Sequence, residues 1–122
     1  MPFDHLGFNV SDFAKSRAFY AAALGALGMK AVMEGKDDIA LGPEQRPEFW
    51  LGTFGAVPTR IHVAFAARNR AEVDAFYKAA MAAGGKDNGK PGLRPEYHPH
   101  YYGAFVLDPD GHNIEAVCHR PE

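Results

Sequence analysis

Cysteine is almost missing from this chain. Cys118 is the one thiol in 122 residues, which excludes an intramolecular disulfide and a cysteine-rich zinc site. That sparing use fits a reducing compartment. An excess of basic charge is missing too. The formal net charge is -2, and no Lys/Arg cluster interrupts it, so nucleic acid is not an expected partner. No apolar run approaches the roughly 18 residues of a membrane span. The opening "MPFDHLGFNV" has no basic segment before an apolar one, so no secretory leader is expected. What is present is an ordinary globular composition, 47% hydrophobic and 23% charged, enough to bury a core. These features predict a single cytoplasmic domain over residues 1–122, with neither membrane nor nucleic acid as a partner.

The chain also repeats itself. "DHLGFNVSDFAKSRAFYAAALGALGMK" (Asp4 to Lys30) aligns without gaps on "IHVAFAARNRAEVDAFYKAAMAAGGKD" (Ile61 to Asp87) at an offset of 57. The offset carries His5 onto His62, Phe19-Tyr20 onto Phe76-Tyr77 and Gly28 onto Gly85. Two alanine-rich helices share letters by chance, but a histidine, an aromatic pair and a glycine in one register argue for a repeated unit.

Each copy opens on a strand. Leu6, Phe8 and Val10 alternate with His5, Gly7 and Asn9, and Ile61, Val63 and Phe65 alternate with His62, Ala64 and Ala66. A helix follows, capped by Ser11 or Asp12 in the first copy and by Asn69 in the second. Short strands then follow in "MKAVME", "DIALG" and "EFWLGTF". The second copy is looser: "KDNGKPGLRPEYHPH" reads as a long loop or irregular strand before "YYGAFVLD", the turn "PDG" and "HNIEAVCH". The expected fold is α+β. Two βαβββ modules, about 1–57 and 58–122, pair into a curved mixed sheet with a concave cleft and the helices on the outer face.

Parity then places the chemistry. If Leu6, Phe8 and Val10 face the helices, His5 faces the cleft, and so does His62. Their strand neighbours Gly7 and Ala64 are small and leave the imidazoles uncovered. In "HNIEAVCH" the apolar face is Ile114, Ala116 and Cys118, which sends Glu115 to the cleft side. A carboxylate there needs a partner, because burying it unpaired is costly. Two histidines and one carboxylate form a common open site for a divalent metal.

These residues carry a resemblance. "DHLGFNVSDFAKSRAFY", "IHVAF" and "FVLDPDGHNIEAV" resemble the vicinal oxygen chelate superfamily, which includes glyoxalase I, fosfomycin-resistance and bleomycin-resistance proteins and extradiol dioxygenases. The resemblance implies paired βαβββ modules, frequent homodimers with sites within or between chains, and metal binding at His5, His62 and Glu115. It further implies a small-molecule substrate whose neighbouring oxygens chelate a divalent Zn, Mn, Fe or Ni ion. The enzyme would be a lyase, transferase or dioxygenase. The other reading is a metal-free protein that sequesters a drug or metabolite, and a blander one is a domain that serves assembly. Glyoxalase I-like members have a fourth ligand where this chain has Trp50, with Glu48 as a fallback two residues away. Three protein ligands are therefore expected, with no catalytic side chain assigned.

The remaining candidates surround the cleft. Trp50 would be an apolar wall, and Arg94, His98, Tyr101 and Tyr102 would border the opening as substrate contacts. The eye-catching "YHPHYYGAF" lies in the insertion that lengthens module two. It is read as a rim segment, with His100 exposed, rather than as the metal site. His112, directly after the "PDG" turn, is expected to be a surface or turn residue. His119 lies about 13 Å along the strand from Glu115, too far to share its ligand. Cys118 is expected to be a buried small hydrophobe.

Overall fold

A computed structural model describes residues 3–122. The first module runs β1 (Leu6–Asn9), α1 (Phe13–Gly25), β2 (Lys30–Glu34), β3 (Asp38–Gly42) and β4 (Phe49–Gly52). The second runs β5 (His62–Ala66), α2 (Arg70–Ala82), β6 (Lys86–Leu93), β7 (Tyr102–Leu107) and β8 (Asn113–Cys118). The repeat is kept to the residue in the helices. Phe13 to Arg70 and Gly25 to Ala82 are both steps of 57. Both helices start on a capping side chain: Asp12 accepts the N–H of Lys15, and Asn69 accepts that of Glu72. Of the two residues considered for the first cap, Asp12 holds it.

Each module builds its own four-stranded mixed sheet, in the orders β1-β4-β3-β2 and β5-β8-β7-β6. β1 runs parallel to β4 and β5 parallel to β8, while the other neighbours are antiparallel. The α+β fold of two βαβββ modules is as expected. The single joined sheet is not: among the described residues β1 and β5 are edge strands, paired only with β4 and β8. The ambiguous stretch after α2 is an irregular strand, β6, whose pairing with β7 shifts register on both sides of Gly89. β6 is an edge strand, so Pro91 removes no ladder bond from a central position.

The helix-side faces of both sheets contribute to one core. Phe8, Tyr20, Leu24, Phe49, Leu51, Val73, Phe76, Val106 and Ile114 are all buried in it. Phe49 of β4 meets Phe65 of β5 edge-on, with ring centres 5.3 Å apart, so the two modules interlock at the level of side chains. Leu6, expected on that face, is 39% exposed because it opens an edge strand and leaves the core to Phe8 and Val10.

The turn before β8 fastens the modules together. Asp108 Oδ1 accepts the N–H groups of Asp110 and His112, and its Oδ2 accepts the hydroxyl of Tyr20 on α1 at 2.5 Å. Asp110 bonds Ser11. This turn also corrects the expectation for His112, which is fully buried. Its Nδ1 accepts the N–H of Ile61, and its ring packs edge-on against Phe8. The chain reverses so tightly around Asp108 that the imidazole is carried inward.

Candidate metal centre and ligand faces

The faces away from the helices carry His5, Trp50, His62 and Glu115, in two separate places. On module two, β5 and β8 run side by side with Ala64 opposite Glu115, and β7 lies beyond with Phe105 opposite Glu115. His62 stands two positions before Ala64 on the neighbouring strand, and so on the same face. Its Nε2 reaches Oε1 of Glu115 at 2.8 Å. The other carboxylate oxygen of Glu115 accepts the hydroxyl of Tyr101. Only 2% of the Glu115 side chain is exposed, against 52% of His62. The carboxylate is thus buried with both oxygens partnered, as its desolvation demands.

Tyr101 is held by its surroundings. Burial, first, and then the hydrogen bond to Glu115 push its phenol well above the usual tyrosine value, so it stays a proton donor. Tyr97, His98 and His119 pack edge-on around its ring, with centroids at 4.8, 5.5 and 5.2 Å. Arg94 folds back so that its guanidinium lies 5.4 Å from the centre of the Phe105 ring, with one nitrogen on the carbonyl of Lys90. Together His62, Tyr97, Tyr101, Phe105 and Glu115 line a cavity of about 370 Å³.

Module one offers a different surface. Trp50 lies flat on its sheet because two glycines let it. A Cβ at Gly7 would come within 2.8 Å of the indole, and one at Gly52 within 2.4 Å. Its Nε1 donates to Asp38 at 3.3 Å, and its ring stacks on Phe54 at 5.6 Å and 16°. His5, Gly7, Met33, Ala40 and Pro47 complete an apolar cavity of about 620 Å³. His5 itself contacts Asp4 at 2.8 Å. Glu48, the fallback ligand, faces Arg46 at 3.4 Å.

The chain therefore brings His62 and Glu115 together but does not add His5 to them. Among the described residues no group of three His, Cys, Asp or Glu side chains is close enough to hold a metal ion. His5 and His62 do border one groove, of about 800 Å³, between the free edges of β1 and β5. Tyr102 departs from its expected place. It alternates with Gly103 and so faces α2, where its hydroxyl bonds Asp74 and its ring lies under Arg70. His100 is exposed and Cys118 buried, as expected. Sequence reasoning overlooked Phe105, which alternation along "YYGAFVLD" would have placed beside Glu115. It also assigned no contact between His119 and His98, because a return of the rim loop onto the strand end leaves no local pattern.

The fold of two paired modules has known counterparts. A family described as Glyoxalase/Bleomycin resistance protein/Dioxygenase superfamily matches residues 3–116. The chain belongs to this superfamily. Solved structures match nearly the whole chain. A glyoxalase/bleomycin resistance protein from Albidiferax ferrireducens T118 is 31% identical with a TM-score of 0.82, over 99% of this chain and 100% of its own. An integron cassette protein from V. cholerae is 25% identical with a TM-score of 0.68, over 97% of this chain and 94% of its own. A lactoylglutathione lyase from Agrobacterium tumefaciens shares the fold at 18% identity and a TM-score of 0.68, over 93% and 90%. No curated protein matches the chain. Among the described residues no helix is long and apolar enough to cross a membrane.

Proposed function

We propose that this protein is a metal-dependent enzyme acting on a small molecule, with His62 and Glu115 of one chain and His5 of a second copy as the ligands. The observation that carries this reading is the buried carboxylate of Glu115 beside the half-exposed imidazole of His62. An imidazole and a carboxylate on adjacent strands suit Zn, Mn, Fe or Ni, and the donor set does not select among them. The third ligand is assigned to a second copy because His5 stands on a different open face from Glu115, beside Trp50. The reading thus includes a homodimer, and it places the protein in the cytoplasm.

When bound, such an ion would supply Lewis-acid polarisation of two neighbouring substrate oxygens. The chain's own residues would do the rest. Tyr101 holds one oxygen of Glu115 by its hydroxyl, fixing the carboxylate with its other oxygen toward His62. Arg94, over Phe105, offers a cation at the rim for a substrate anion. Trp50 and Phe54 form a flat wall for an apolar part of the substrate. Metal analysis of untagged protein tests the proposal. About one ion per chain is expected after reconstitution, and none of Zn, Mn, Fe or Ni would reject it.

A second reading is favoured by one feature. Both oxygens of Glu115 are already partnered by His62 and Tyr101, so the hydrogen bonding of the carboxylate is complete without an ion. A metal-free protein that sequesters a drug or metabolite would use the Trp50 wall alone. Ligand binding that survives a His5→Ala/Glu115→Ala double substitution would favour it.

A further inference from the structure

The rim loop places two imidazoles end to end against Tyr101, apart from His62 and Glu115. Nε2 of His98 lies 2.6 Å from Nδ1 of His119, and the ring planes are within 24° of each other. His98 Nδ1 accepts the backbone N–H of His100 at 3.0 Å, so in a neutral ring the proton sits on Nε2. That proton is donated to His119 Nδ1, which leaves His119 protonated on its outer nitrogen. Two nitrogen lone pairs therefore converge on a point that one proton occupies. His98 is half-buried, while His119 is exposed just beyond the end of β8 and has room to move.

We propose that His98 and His119 form a chelating clamp for a late first-row divalent cation of the copper, nickel or zinc kind. The cation would replace the shared proton. Metal–nitrogen bonds of about 2.0–2.1 Å at a tetrahedral angle need the nitrogens roughly 3.3 Å apart, so the gap must widen and the exposed His119 ring must turn until the two lone pairs meet at an angle. Neutral imidazole pairs prefer this part of the series, with copper the tightest. The His100 backbone N–H fixes which nitrogen of His98 points at the cation, the role an outer hydrogen bond plays for metal-bound histidine. Both rings also abut Tyr101, so a filled clamp braces the side chain that holds Glu115. The clamp is separate from the centre at His62 and Glu115, and its test keeps the two apart.

Cu(II) is titrated into the full-length, untagged Glu115→Gln protein, with His62→Ala as a second background in case that variant folds poorly. Electron paramagnetic resonance and competition with a chelator follow the binding. One copper per chain with two imidazole nitrogens is expected. His98→Ala and His119→Ala should each weaken binding by about tenfold or more, because each removes the chelate. His100→Ala should leave it unchanged, since only its backbone is used. Copper that fails to bind the Glu115→Gln protein, binding indifferent to His98 and His119, or an equal loss on His100→Ala would overturn the proposal. Metal content of the His98→Ala/His119→Ala protein, which keeps His62 and Glu115, reports separately on the proposed function.

Discussion

Trp50 holds in β4 the position that Glu115 holds in β8. Trp50 pairs with Gly7 and Glu115 with Ala64, and Gly7 and Ala64 are related by the 57-residue repeat. One module thus presents an indole where the other presents a carboxylate. The module-one face carries an aromatic wall beside His5, and the module-two face a buried carboxylate beside His62.

Trp50→Ala should remove that surface. It is the chain's single tryptophan, so wild-type fluorescence should respond to any ligand that stacks on it. Ligand affinity is expected to fall by about tenfold or more in Trp50→Ala, while metal content stays at the wild-type level. Loss of metal instead would mean that the two faces are not independent.

Tyr101→Phe should loosen Glu115 without unfolding the protein. Removing an outer partner of a metal-binding carboxylate typically weakens metal affinity by about 10–100-fold, measurable by chelator competition. The same phenol gives a pH signature. Its folded value is raised, so its contribution to stability is complete below the ordinary tyrosine value of about 10 and is lost as pH rises above it. Ultraviolet titration of the folded protein should show Tyr101 still protonated when exposed tyrosines have ionised.

Tyr20→Phe tests the bond between the modules. Tyr20 is fully buried, and burial and Asp108 both raise its phenol. Without the hydroxyl, Asp108 keeps its two backbone donors but loses α1. A cost of about 1–3 kcal/mol in denaturant unfolding is expected. An unchanged midpoint would mean that the turn does not couple the modules.

Tyr102→Phe separates position from expectation. Because its hydroxyl bonds Asp74 on α2, the substitution should leave metal and ligand binding unchanged and cost under about 1 kcal/mol of stability. An effect on ligand affinity would return Tyr102 to the rim.

The module plan was legible because period-two and helical patterns recur at a fixed spacing, and Phe19-Tyr20 and Phe76-Tyr77 locked the register. Side-chain direction on β1, β5 and β8 followed from alternation alone, which is why His62 and Glu115 could be paired on paper. Three things escaped that logic. The free edges of β1 and β5 depend on how whole sheets pack, which alternation does not encode. His112 is buried by hydrogen bonds within a turn, where strand parity does not apply. The pairing of His98 with His119 arises from a proline-broken loop folding back on a strand end, with no periodic trace.

The central claim is that His5 of one copy completes the site begun by His62 and Glu115 of another. Mixing the His5→Ala and Glu115→Ala proteins under conditions that exchange subunits tests it, with bound metal as the readout. Each variant alone should hold none at this centre. In a random mixture half the dimers are mixed, and each has one intact site, so about a quarter of the wild-type content should return. No recovery in a mixture shown to exchange subunits would contradict the account.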